Sequence, residues 1–119
     1  MHELSVCNAL ISQVERIARE HPGGRVARIV LSIGPLSGVE PKLLRHAYPL
    51  AAAGTVAEHA ELDIETGPVV VRCTVCDAET PVAPNRLLCG ACGDFRTRLV
   101  SGDELLLQRL EFAAETEPA

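Results

Sequence analysis

Four cysteines in two matched pairs constrain this chain more than anything else in it. Cys73-Thr74-Val75-Cys76 and Cys89-Gly90-Ala91-Cys92 each set two sulfurs two residues apart, and twelve residues separate the pairs. Each turn can aim both sulfurs at one point, and two such turns facing each other offer four thiolates in the tetrahedron that zinc accepts. The spacer is shorter than the roughly 15–20 residues common for this pattern, yet long enough for a small hairpin. Pro81, Pro84 and Asn85 interrupt regular structure within it, while Gly90 and Gly93 permit the tight backbone of a knuckle. Two disulfides or a redox dithiol are the alternatives. Disulfides need an oxidising compartment, for which nothing in the chain argues, and a redox dithiol needs one pair rather than two. Four protein ligands leave no open coordination position, so the expected zinc is structural. Its binding would contribute on the order of 10 kcal/mol or more to folding a segment poor in apolar residues.

The rest of the chain must supply one modest core. It has 119 residues, 47% of them hydrophobic, which suits a single small domain with a metal-held lobe beside it. Eleven basic residues stand against 16 acidic ones, a formal charge of -5, which argues against a phosphate-backbone partner. Tyr48, Phe95 and Phe112 are the three aromatic residues, too few for a base-stacking platform. Met1-His2-Glu3 lacks the basic start and apolar run of a secretory leader, and no stretch approaches the length of a membrane span. A cytoplasmic protein with no membrane partner is expected.

Along the chain, Leu4, Cys7, Leu10, Ile11, Val14, Ile17 and Ala18 recur at helical spacing and predict an amphipathic helix from Leu4 to Glu20, ended by His21-Pro22-Gly23-Gly24. Cys7 falls on its apolar stripe and reads as a core residue rather than a reactive thiol. Arg25 to Gly34 alternates as a half-buried strand. Glu40-Pro41 opens a second helix carrying Leu43, Leu44, Ala47, Leu50 and Ala51 on one face, with Pro49 predicting a kink or a broken last turn before Gly54. Ala60 to Thr66 alternates again, and the strand resumes after Gly67-Pro68 through Val69, Val70 and Val71 into Cys73. Glu104 to Phe112 is a third strand. The fold class is therefore α+β, two helices packed on a small three-stranded sheet with an inserted zinc-knuckle lobe. Residues 1–71 together with 99–119 form the α+β domain, and residues 72–98 form the lobe. His21, His46 and His59 share no metal-ligand spacing and read as surface or capping residues.

Taken together, Met1-His2-Glu3-Leu4-Ser5, the strand ending Ile33-Gly34, Val39-Glu40-Pro41, the span Cys73 to Cys92, and Gly102-Asp103-Glu104-Leu105 resemble the HypA/HybF family of hydrogenase nickel-incorporation proteins along nearly the whole chain. None of these motifs is specific alone; their order and spacing carry the resemblance. It implies a metallochaperone, not an enzyme, with zinc in Cys73, Cys76, Cys89 and Cys92 and a nickel cargo at His2 in the domain 1–71 and 99–119. Nickel favours imidazole and can take a square plane of nitrogens. The His2 ring can join the Met1 amine and the amide nitrogens of His2 and Glu3 in small chelate rings, with the Glu3 side chain a further option. Glu3 and Glu40 match acidic positions that the family uses near this site, and both also suit helix starts. Where some members carry histidines flanking the knuckles, this chain has Asp77 and Gly93, which argues against a pH-sensing role for the zinc. The resemblance further implies a GTPase accessory protein and a nickel-iron hydrogenase large subunit as partners, urease accessory proteins in some organisms, and a monomer or weak homodimer. The competing reading is a zinc-ribbon module that binds protein or nucleic acid. For nucleic acid it lacks a basic stripe, since Arg72 and Arg86 are offset by Asp77, Glu79 and Asp94.

Overall fold

Among residues 3–113, which the computed structural model describes, helix α1 runs Glu3–Ala18 and buries Val6, Cys7, Leu10, Ile11 and Val14. The predicted stripe is centred correctly but lies one residue wider at its start, with Val6 buried and Leu4, Ile17 and Ala18 half-buried. The helix closes with short turns, Glu20 N–H to Ile17 O and His21 N–H to Ala18 O, both 3.0 Å. Gly23, at φ 86°, then reverses the chain.

Strand β1, Arg25–Ile33, is the centre of a three-stranded sheet ordered β2-β1-β6, flanked by β2 (Glu61–Glu65) and β6 (Leu105–Ala113). Alternation predicted a strand buried on one face. Instead Val26 and Val30 on the second face are buried along with Ile29, Leu31 and Ile33. Being central removes both strand edges from water, and Arg28 and Ser32, both half-buried, are the polar residues of that second face. The Arg28 guanidinium reaches Glu61 at 3.3 Å, Asp63 at 3.0 Å and Glu111 at 3.8 Å, joining all three strands by charge.

Helix α2, Pro41–Ala52, starts at the N-cap Glu40 with Pro41 in the first turn, where its missing N–H costs nothing. Its buried face is Leu44, Tyr48 and Ala52, at strict four-residue steps, while Leu43 and Leu50 are 54% and 72% exposed. The sequence reading placed both leucines on the inner face. Tyr48 took that place because its hydroxyl donates to Ala57 O at 2.9 Å, so a large ring can be buried with its polar tip satisfied. The final turn does not break at Pro49, since Ala53 N–H still reaches Pro49 O at 3.1 Å. Arg45 Nη1 donates to Leu62 O at 2.7 Å and ties α2 to β2.

These elements make one of two compact units, comprising the chain up to Leu31, Val39–Ile64 and the chain from Leu107. The second unit, Ser32–Gly38 and Glu65–Leu106, holds a separate sheet ordered β4-β3-β5. Its strands are β3 (Val69–Cys73), β4 (Glu79–Val82) and β5 (Thr97–Ser101), with β3 antiparallel to both neighbours. The valines after Gly67-Pro68 thus begin this sheet rather than resuming β2. Neither β4 nor β5 was legible in the sequence. Both are short edge strands with few buried positions, and β4 carries Pro81, so no alternating signal marks them. Among the described residues, no helix is long and apolar enough to cross a membrane.

Candidate metal centre

The four knuckle cysteines converge. Cys73 ends β3, Cys76 lies in the turn that follows, and Cys89 and Cys92 belong to the loop that precedes β5. Their sulfurs all lie within 4.8 Å of one another. Cys73 and Cys92 approach to 3.6 Å, and Cys76 and Cys89 to 3.5 Å. A disulfide holds sulfurs about 2 Å apart, so these are free thiols. Four thiolates at about 2.3 Å from a central zinc would sit about 3.8 Å from each other, close to the spacings here.

The two knuckles repeat one backbone design. In the first, Cys73 Sγ accepts the N–H of Val75 at 3.3 Å and of Cys76 at 3.4 Å. In the second, Cys89 Sγ accepts the N–H of Ala91 and of Cys92, both at 3.3 Å. Asp77 N–H then returns to Cys73 O at 3.1 Å and Gly93 N–H to Cys89 O at 2.9 Å. The turn needs a left-handed residue at that point, and it is Gly93 at φ 80° in one knuckle but Asp77 at φ 65° in the other. Cys73 and Cys89 are buried, whereas Cys76 and Cys92 are exposed. The amide donors favour thiolate: the Cys76 N–H draws the Cys73 thiol below its usual range, and the Cys92 N–H leads in pulling Cys89 down to about 6 despite burial. Cys76 and Cys92 are pushed the other way, Cys92 up to about 12, so the amides favour thiolate at one sulfur of each knuckle. A soft, tetrahedral set of four sulfurs with no open position fits a closed metal site.

Residues around the tetrad brace it, and of these the sequence singled out Gly90 alone. Thr74 Oγ1 and N–H both donate to Arg96 O, at 2.7 and 2.9 Å, joining the first knuckle to the exit of the second. Gly90 N–H donates to Thr80 Oγ1 at 2.9 Å, and a Cβ on Gly90 would lie 3.0 Å from Thr80 Cβ, so any larger residue at 90 would have to push the Thr80 side chain aside. Asp94 accepts from Arg96 N–H at 2.8 Å and from its guanidinium at 3.0 and 2.9 Å. Those bonds, the side-chain ones first, hold the Asp94 carboxyl down at about 2. The one available hint was the internal repeat, which aligns Asp77-Ala78 with Gly93-Asp94.

His2 and the Met1 amine, named from the sequence for nickel, lie outside the described residues. Glu3 and Glu40 are brought together. Glu3 Oε2 accepts the Glu40 N–H at 3.4 Å, and Glu40 Oε1 accepts the Lys42 N–H at 3.3 Å. The other histidines stay apart: His21 stacks on Phe112 with ring centroids 4.6 Å apart and meets Ile17 O at 3.3 Å, His59 lies 3.6 Å from Glu58, and His46 is exposed. Cys7 is fully buried and its Sγ lies 3.5 Å from Leu44 O. Burial, then the charge of Glu3, pushes its thiol up, the opposite of a reactive cysteine.

Comparison with known proteins follows the same lines. The family described as "Hydrogenase/urease nickel incorporation, metallochaperone, hypA" matches residues 1–112. A hydrogenase maturation factor HypA of Nitrosospira multiformis is 50% identical over 111 residues, 93% of this chain and 96% of its own length. The HypA of Aquifex aeolicus is 39% identical over 97% of this chain and 100% of its own. The solution structure of the Ni metallochaperone HypA from Helicobacter pylori superposes with a TM-score of 0.70 at 29% identity, covering 96% of this chain and 99% of that one.

Proposed function

The chain belongs to the HypA family of hydrogenase and urease nickel-incorporation metallochaperones, and from that premise we propose that it carries nickel(II) at its amino terminus and delivers it to the large subunit of a nickel-iron hydrogenase. The match beginning at residue 1 carries this reading, because it takes in Met1-His2-Glu3. There the His2 imidazole, the Met1 amine and the amide nitrogens of His2 and Glu3 offer contiguous donors of the kind nickel prefers in a square plane. Amide ligation releases protons, so affinity should fall as pH falls. A site made of chain-terminal residues can surrender its cargo by ligand exchange, which a closed cage resists.

Cys73, Cys76, Cys89 and Cys92 would hold zinc, whose contribution is to fix the lobe rather than to catalyse. A GTPase accessory protein and the hydrogenase large subunit are the partners this role calls for, with urease accessory proteins where the organism has that enzyme, in the cytoplasm. No turnover is assigned. A nucleic-acid role finds little support, since Arg72 is paired with Glu79 and Asp77, and Arg96 with Asp94.

The test is titration of untagged, zinc-loaded protein with nickel. The expected result is a single nickel equivalent that is abolished by His2→Ala, with zinc content and circular dichroism unchanged. Equal nickel affinity in the variant would retire the assignment.

A further inference from the structure

A helix start leaves N–H groups without partners, and a capping box answers two of them: the N-cap side chain bonds a donor just inside, and a carboxylate at the third helical position turns back to the N-cap N–H. Helix α2 has half of this box. Glu40 is the N-cap and its Oε1 accepts the Lys42 N–H at 3.3 Å. The third helical position is Leu43, an apolar residue 54% exposed, which can make no return bond. The missing acceptor arrives from the other helix, since Glu3 Oε2 accepts the Glu40 N–H at 3.4 Å across 37 positions of sequence.

We propose that Glu3 completes the capping box of α2 from α1, and that this bond makes Glu3 a positioning residue for the nickel site. The inference rests on the nickel reading above. The Glu3 amide nitrogen is one of the donors assigned to the metal, so its side chain anchors a ligand residue through atoms the metal does not use. A chelate assembled from adjacent residues must order each of them, and a residue already held lowers that entropic cost. The Glu3 carboxylate is thereby committed to the α2 backbone, and its contribution to nickel is its main-chain nitrogen. Glu40 serves as a cap, with its carboxylate turned to Lys42.

Untagged wild type, Glu3→Ala, Glu3→Gln and the double variant Glu3→Ala/Leu43→Glu separate the parts. Each is followed by thermal unfolding without nickel, by nickel titration calorimetry and by the visible absorption of bound nickel. Glu3→Ala should lower the melting temperature by about 5 °C, as loss of one cap does. It should also weaken nickel binding by about tenfold, with the absorption band unshifted because the donors are unchanged. Glu3→Gln, whose amide oxygen can still accept the Glu40 N–H, should recover most of both losses. Leu43→Glu rebuilds the box within α2, so in the Glu3→Ala background it should restore the melting temperature while nickel binding stays weak. Wild-type affinity in Glu3→Ala would overturn the inference, as would recovery of nickel affinity together with stability in the double variant. A shifted absorption band in both Glu3→Gln and Glu3→Ala would overturn it by making the carboxylate a ligand. Failure of wild type to bind nickel, or unchanged binding in His2→Ala, would overturn the parent reading and this inference with it, whereas the Glu3 outcomes alone touch only the latter.

Discussion

The two units of this chain reach stability by different means. In the helix-bearing unit, Val6, Leu10, Ile11, Val14, Val26, Ile29, Val30, Leu31 and Leu44 are all buried, an apolar interior of the usual kind. In the unit with the knuckles, the buried apolar residues among those described are Ile33, Val69 and Val71, besides Cys73 and Cys89. Val75, Leu87, Phe95, Leu99 and Val100 remain at least 40% exposed there. Three aliphatic side chains cannot offset the conformational entropy of some fifty ordered residues at about 1–2 kcal/mol each. In one unit burial determines the fold, whereas in the other the metal proposed for the four cysteines would stand in for a core.

The sharpest break of that contrast is removal of the proposed zinc or of one of its four cysteines. Chelation, or Cys73→Ala, should cost the knuckle unit on the order of 10 kcal/mol of local folding. Amide cross-peaks from residues 69–101 should collapse while the helical signal at 222 nm persists; loss of both together would show that the units are not independent in this sense. The reciprocal perturbation is Leu44→Ala in the fully buried face of α2. It should destabilise the helix unit by about 2–5 kcal/mol in urea unfolding while zinc stoichiometry stays unchanged. The smallest effects compare the two knuckles with each other. Gly93→Ala meets no steric obstacle but places a Cβ at φ 80°, so it should cost about 1–2 kcal/mol. Asp77→Gly relieves the same conformation in the first knuckle and should gain under about 1 kcal/mol. Part of that gain is offset by losing the exposed Asp77 contact to Arg72 at 3.6 Å. Zinc-transfer competition and melting of the two variants would read these differences; no cost for Gly93→Ala would show that the left-handed position does not call for glycine.

Much of the fold is legible in the order of residues, and the reason is periodicity. Cys7, Leu10, Ile11 and Val14 recur at helical steps over about two turns, which is the signature of one apolar helix face. Strands β4 and β5 were missed because four or five residues at a sheet edge, with charged and proline neighbours, carry no period. The inner face of α2 was misjudged at Leu43 and Leu50, because hydrophobicity alone outranks tyrosine until a carbonyl, Ala57 O, is found to satisfy the hydroxyl. The convergence of the four cysteines was legible because two Cys-x-x-Cys turns encode their own local geometry.

What the chain determined by itself was local and repetitive: two amphipathic helices, the alternation of β1, and two thiolate turns built to one plan. What tertiary structure alone decided were encounters that no spacing announces, the meeting of Thr80 with Gly90 and of Glu3 with the Glu40 N–H. Periodic patterns follow from bonds between near neighbours, which residue order dictates directly. A partner 37 positions away is chosen only when the packing of two helices brings an acceptor to a donor that has none.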